Sequence, residues 1–138
     1  MNWRHWLLPL AIRILLLSTG HALGAPPALT AVGEIIHVSA GIGEDDAIEV
    51  EMLRRLHNLE LVFALQGSGS YVADVKVSVY NAAGAKVLAA QSPGPLFFAT
   101  LRPGQYRVDA EFRGRVLSKV TSVTQAGRRD LYFYWASE

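Results

Sequence analysis

The chain has 138 residues, no cysteine and nearly balanced charge, with 13 lysine and arginine residues against 12 aspartate and glutamate residues. The absence of cysteine excludes a disulfide framework and lipid attachment of the lipoprotein type. The charges are scattered and form no basic stripe that could follow a phosphate backbone, which argues against nucleic acid as a partner.

The first 25 residues have the pattern of an export signal. Arg4 precedes an apolar run over residues 6–17, and small residues follow up to Ala25. Arg13 interrupts the run, so an uncleaved N-terminal anchor is the alternative, although a spanning helix needs about 20 apolar residues. We expect cleavage near residue 25 and a periplasmic or secreted protein with no stable membrane span. The remaining chain would then contain 11 basic and 12 acidic residues.

Residues 26–58 are predicted to form an extension with one strand and one helix. The strand is expected at residues 34–38, and the helix at residues 45–57, where acidic residues at the start and arginines near the end suit the helix dipole. A capping box is expected to begin at Asp46, and Asn58, which tolerates left-handed backbone, is expected to end the helix. The apolar residues at helical spacing are Ile48, Met52, Leu53 and Leu56.

Residues 59–138 alternate between strand and turn patterns and are predicted to form one mainly β domain, an antiparallel β-sandwich of about seven strands. The turn at residues 81–84 predicts a hairpin between the strands that flank it. Pro103 and Gly104, with positive φ expected at the glycine, predict a chain reversal. The strands are expected at residues 59–65, 75–80, 86–90, 96–101, 105–112, 116–124 and 130–135.

Several short motifs between residues 61 and 124 share the pattern of a known domain family. The motifs are Asp74 to Tyr80, the turn at 81–84, Lys86-Val87-Leu88, Gly94-Pro95-Leu96 and Leu101 to Val108. Together they resemble the bacterial carboxypeptidase regulatory-like domain, which is similar to transthyretin in fold, in a small exported form that carries this domain alone. The resemblance implies a folding or binding unit of the cell envelope that is not an enzyme.

Residues with possible catalytic or metal chemistry are few. His57 and Glu60 have the His-x-x-Glu spacing of zinc peptidases, but no later histidine supplies a third ligand, and we expect no metal and no cofactor. The acidic residues 44–46 lack the alternating ligands of a calcium loop. Ser68 and Ser70 have no general base near them in sequence. A small hydrolase on a transthyretin-like fold is therefore the least favoured alternative.

The final strand carries the candidate binding surface. Alternation places its two tyrosines on one face and Leu131, Phe133 and Trp135 on the other. The tyrosine face is either covered by the helix or exposed. If exposed, it anchors an envelope protein partner or, as the alternative, stacks on a glycan in a carbohydrate-binding module that uses exposed tyrosine or tryptophan. The predicted binding residues are Tyr71, Arg128, Arg129, Tyr132 and Tyr134.

Overall fold

A computed structural model describes residues 35–137. The predicted signal segment, the expected cleavage site and the possible N-terminal anchor lie outside the described residues. Within them the chain is mainly β, with eight strands, one α-helix and a short 3-10 helix at Glu44–Asp46. In this part of the chain, no helix combines the length and apolar character needed to cross a membrane. The prediction of a mainly β chain with one helix is confirmed.

The strands form two four-stranded sheets. The elements are β1 (His37–Ala40), α1 (Ala47–Leu56), β2 (Leu59–Leu65), β3 (Val75–Asn81), β4 (Lys86–Ser92), β5 (Leu96–Ala99), β6 (Gly104–Phe112), β7 (Arg115–Val123) and β8 (Arg129–Trp135). Sheet A has the order β1-β5-β2-β8, and sheet B has the order β4-β3-β6-β7. The strand count exceeds the expected seven because β1, from the predicted extension, pairs with β5.

One strand pair departs from the expected antiparallel arrangement. β2 and β8 run parallel along their full length, with Leu59 opposite Arg129 and Leu65 opposite Trp135. The other strand pairs of the two sheets are antiparallel. Because most of the domain separates β2 from β8 in sequence, no tight turn fixes their relative direction, and the turn pattern that predicts the hairpins carries no information about this pair.

Alternation along the strands sends one face of each sheet into a shared core. The core includes Leu59, Leu61, Phe63, Val75, Val77, Val79, Phe97, Val108, Ala110, Phe133 and Trp135. Since both sheets contribute to this single cluster, the core lies between them in a sandwich-like arrangement. Burying each large apolar side chain contributes about 1.5–3 kcal/mol.

The helix covers part of the outer face of sheet A. Val50 and Leu53 of α1 form a second apolar cluster with residues of β1, β2 and β5. On β2 the residue in this cluster is Val62, which alternates with the core residues Leu61 and Phe63 and therefore faces away from the core. Sheet A is thus buried on both faces where α1 lies over it.

The ends of α1 differ from the prediction. Asp46 makes no side-chain capping bond to the helix; its Oδ2 accepts a hydrogen bond from the Gly43 amide at 2.8 Å instead. The residue after the helix is His57, in extended conformation at φ −120°. The Asn58 side chain donates to the Leu101 carbonyl at 2.7 Å and accepts from the Leu101 amide at 2.8 Å. Asn58 therefore acts as a strand-like partner of Leu101 and not as a left-handed cap.

Of the two turns emphasised above, the first closes a hairpin and the second connects the two sheets. The turn after β3 closes the predicted hairpin, with Gly84 at φ 81° and the Asn81 Oδ1 accepting from the amides of Ala83 and Ala85. Gly104 has the expected positive φ, at 159°, and it is the first residue of β6. Because β5 belongs to sheet A and β6 to sheet B, this connection crosses between the sheets and forms no hairpin.

Candidate functional site

The two tyrosines of β8 lie on the outer face of sheet A. Tyr132 and Tyr134 are 45 % and 48 % exposed, whereas the alternating residues Phe133 and Trp135 are buried. The tyrosine rings are nearly parallel, with an interplanar angle of 7° and a centroid separation of 6.3 Å. The strand therefore presents two aligned phenol rings to solvent, and its tryptophan contributes nothing to the exposed face.

The third predicted tyrosine lies on the same face. Tyr71 forms an isolated bridge with Ala64, and Ala64 is also the register partner of Tyr134. Residues directly opposite each other in a sheet share a face, so Ala64 lies between the two tyrosines. With strands about 4.8 Å apart, the backbones of Tyr71 and Tyr134 are about 10 Å apart, and the small Ala64 forms the floor between them. We call Tyr71, Tyr132 and Tyr134 the tyrosine surface.

The extent of the helix explains why this surface is exposed. The apolar cluster under α1 takes residues from β1, β2 and β5, and none from β8. Tyr132 is the register partner of Val62, which is buried at the same level of the sheet. The helix thus covers three strands and leaves the β8 face about half exposed, so the alternative that the helix covers this face is wrong.

Arg128 is held by partners within the protein. Its Nε lies 2.6 Å from Asp130 Oδ1 and 3.4 Å from Glu60 Oε2. The hydrogen bond to Asp130 raises the pKa of Arg128 above its ordinary value. The side chain of Glu60 is only 2 % exposed and also receives hydrogen bonds from Arg54, at 3.0 to 3.2 Å. These contacts fasten the end of α1 to the sheet.

Arg129 also bonds to the protein itself. Its Nε donates to the Ser122 carbonyl at 2.8 Å, which links β8 to β7 of the other sheet. Its backbone amide donates to the Asn58 carbonyl at 2.9 Å. The structure therefore brings the three tyrosines together on one face, while both predicted arginines hold structural contacts.

The residues considered for metal or nucleophilic chemistry each bond to a different partner. His57 Nδ1 lies 2.9 Å from Thr100 Oγ1, and burial lowers the pKa of His57. Glu60 is bound by the two arginines. Ser68 Oγ accepts a hydrogen bond from the Ser70 amide at 3.2 Å. Within residues 35–137, three or more metal-binding side chains do not come together at any point.

Sequence reasoning missed a second exposed apolar feature. Ile48, Met52 and Leu56 of α1 are between 53 and 84 % exposed, at spacing i, i+4 and i+8. Helical periodicity groups them with Leu53, but the buried residues are Leu53 and Val50. The sequence carries two apolar stripes on this helix, which indicates that one of them stays exposed but not which one. We call Ile48, Met52 and Leu56 the helix stripe.

Comparison with known proteins adds no family assignment. No family model and no curated protein matches this sequence. The resemblance to the carboxypeptidase regulatory-like domain therefore stays a prediction.

Proposed function

We propose that this chain is a non-catalytic, exported β-sandwich module that binds a protein partner in the cell envelope. The binding surface consists of the tyrosine surface and the helix stripe. One observation carries the proposal: these six large apolar side chains, all on the outer side of sheet A, are 45 to 84 % exposed. Apolar side chains exposed together on one side of a domain are typical of interaction sites.

The chemistry of the surface also favours a protein partner. Tyrosine offers a large apolar ring with a polar tip and few rotatable bonds, so ordering it at an interface costs little entropy. Tyr132 and Tyr134 project from a strand that is paired along its length with β2. The rings are therefore mounted on rigid backbone.

The proposed location and family rest on the sequence. The export-signal pattern of the first 25 residues supports a periplasmic or secreted protein, and the absence of cysteine excludes lipid attachment at a lipoprotein-type site. Two four-stranded sheets around one core support a transthyretin-like sandwich of the carboxypeptidase regulatory-like type. The non-catalytic assignment is supported by His57 and Glu60, the pair with peptidase-like spacing, which bond to Thr100 and to arginines.

The experiment is a cross-linking pull-down from envelope extract with three forms of the exported protein. The wild type is compared with the double variant Tyr132→Ser/Tyr134→Ser and with Tyr80→Ser. Tyr80 is the matched control because it lies on β3 of sheet B, away from the tyrosine surface. The guanidinium of Arg107 lies over its ring, 4.2 Å from the ring centroid. We expect a specific protein with the wild type and the control, and its loss with the double variant. Equal recovery by all three forms, or no specific protein, would refute the proposal.

A carbohydrate-binding module is the second candidate function. The parallel rings of Tyr132 and Tyr134, 6.3 Å apart, favour it because sugar rings stack on aromatic faces. A set of envelope oligosaccharides should then raise the Tm of the wild type and leave the Tm of the double tyrosine variant unchanged. A sugar-induced shift together with an empty pull-down would replace the first candidate with this one.

A further inference from the structure

A cleft lies at the end of the sandwich, where β8 stops and β6 turns into β7. Its volume is about 200 Å³, and its apolar wall is formed by Leu65, Phe112 and Trp135. Arg113 and Arg115 also line it. The cleft thus combines an apolar wall with two cationic side chains, a combination that the tyrosine surface does not have.

The apolar wall is fixed in place. The Trp135 indole donates from Nε1 to the Arg115 carbonyl at 3.0 Å, and its ring lies 5.5 Å from that of Phe112 at an angle of 56°. The Trp135 ring also lies beside the core ring of Phe63, with 6.1 Å between the two ring centroids. Because core packing holds the indole on one side, a ligand would meet a wall that is already formed.

Arg113 brings a positive charge to the rim of the cleft. Its guanidinium lies over the Phe112 ring, 5.0 Å from the centroid. Among residues 35–137 no carboxylate lies within ion-pair distance of Arg113. Asp74 and Glu111 share the neighbouring cleft with Arg113, and Glu111 is paired with Lys76 at 3.9 Å. The guanidinium of Arg113 is therefore available to an anion.

The backbone at Arg113 gives an independent observation. Arg113 has φ 49° and the following Gly114 has φ 78°, as in the two-residue hairpin turns that favour Asn-Gly. Left-handed backbone is unfavourable for a residue with a long side chain, and such outliers cluster at functional positions. An arginine at this position strains the turn, which points to a role for its side chain.

We propose that this cleft binds a small organic anion with an apolar ring or short apolar chain. The apolar part would lie against Trp135, Leu65 and Phe112. The carboxylate or sulfonate would accept paired hydrogen bonds from the Arg113 guanidinium, whose planar fork matches such anions. At about 200 Å³ the cleft is smaller than a typical drug-sized pocket, so it suits a single ring. This proposal does not depend on the proposed function.

The test uses 3-phenylpropionate as the probe and neutral 3-phenylpropanamide as its matched control. The readout is the NMR signal of the Trp135 indole N–H in the protein purified after export. The other two tryptophans, Trp3 and Trp6, lie in the predicted signal segment. We expect the acid to shift the indole N–H signal in a saturable manner. The amide should bind more weakly by a factor of about ten or more, because a charge-assisted hydrogen bond is lost. Equal binding of acid and amide, or no shift at millimolar acid, would overturn the proposal.

Variants of the turn separate binding from folding. Arg113→Asn removes the charge and suits the left-handed backbone, so its Tm should equal or exceed that of the wild type while binding weakens about tenfold. Arg113→Lys keeps the charge without the fork and should bind with intermediate affinity. Arg102→Asn, at an exposed arginine elsewhere, is the control and should bind as the wild type does. Unchanged binding by Arg113→Asn would refute the assignment.

The same anion chemistry could come from a free acid or from the C-terminal carboxylate of a peptide. A hexapeptide that ends in phenylalanine is therefore compared with its amidated form. Tighter binding of the free peptide than of 3-phenylpropionate would identify a peptide end as the ligand. Equal or weaker binding would identify a free small acid.

Discussion

The buried carboxylate of Glu60 holds two arginines, and the unequal burial of the three groups predicts unequal effects of removing them. The Glu60 side chain is 2 % exposed, whereas those of Arg54 and Arg128 are 38 % and 30 % exposed. Removing the carboxylate leaves two cations that still reach water. Removing both arginines leaves a buried anion without a cation. Both changes break the two ion pairs of Glu60, and the second also breaks the pair between Arg128 and Asp130, whose side chains are 30 % and 32 % exposed. An exposed pair contributes little, so the buried anion should be what makes the second change clearly more destabilising.

The magnitudes follow from what each variant leaves behind. Glu60→Gln keeps the shape of the side chain and weaker hydrogen bonds, and the solvated cations cost little, so we expect a loss of about 1–2 kcal/mol. The double variant Arg54→Gln/Arg128→Gln should lose about 3–5 kcal/mol, the range for a buried charge that loses its partners. For a domain of about 100 residues, each kcal/mol lowers the Tm by about 4–8 °C.

Urea denaturation followed by circular dichroism measures these losses. Arg55→Gln is the control, because Arg55 and its partner Glu51 are both exposed and should contribute less than about 0.5 kcal/mol. A double variant that is no less stable than Glu60→Gln would refute the reasoning about burial.

Three further predictions test other parts of the structure. Burial lowers the pKa of His57 below its ordinary 6.5, so the folded state disfavours the charged ring. The free energy of unfolding should therefore be at its full value above pH 6.5 and decline as the pH falls below it. In a series of denaturation curves at different pH values, His57→Gln should reduce this decline. Leu53→Ser should cost about 2–5 kcal/mol and Met52→Ser about 0.5 kcal/mol or less, because only Leu53 is buried; equal losses in urea would mean that the helix orientation is wrong. Gly94→Ala should cost about 1–3 kcal/mol, because its methyl group would clash with the Ala40 carbonyl; the clash should speed amide hydrogen exchange in β1, and unchanged exchange would contradict it.

Period-two alternation predicted the faces of the strands because it depends only on local backbone geometry. It identified the core side of β8 and placed Tyr132 and Tyr134 opposite it. It also puts Glu60 on the face of β2 opposite its neighbours Leu59 and Leu61, which are core residues. The cover over Glu60 could not be predicted, because its partner Arg128 is far away in sequence and the position of the helix depends on tertiary packing.

The helix also shows that local sequence patterns do not determine tertiary packing. Its residues form two apolar stripes, and local periodicity cannot decide which of them packs on the sheet. The stripe with Val50 and Leu53 is the buried one. The hairpin at residues 81–84 was predictable because asparagine and glycine fix a turn locally. Pro103 and Gly104 predict a turn, but such residues suit both a hairpin and a connection between sheets, so they do not decide which sheet β6 joins.

The position of β8 connects the fold with the proposed binding surface. On one side β8 pairs with β2 along its full length. On the other side two contacts join it to β7, one from Arg129 to the Ser122 carbonyl and one from Trp135 to the Arg115 carbonyl. These contacts lie at opposite ends of the strand, so they restrain both its position and its twist. The tyrosines between them therefore project from a strand whose backbone pairs with β2 and whose Arg129 and Trp135 side chains bond to β7. Less conformational entropy is then lost when a partner binds.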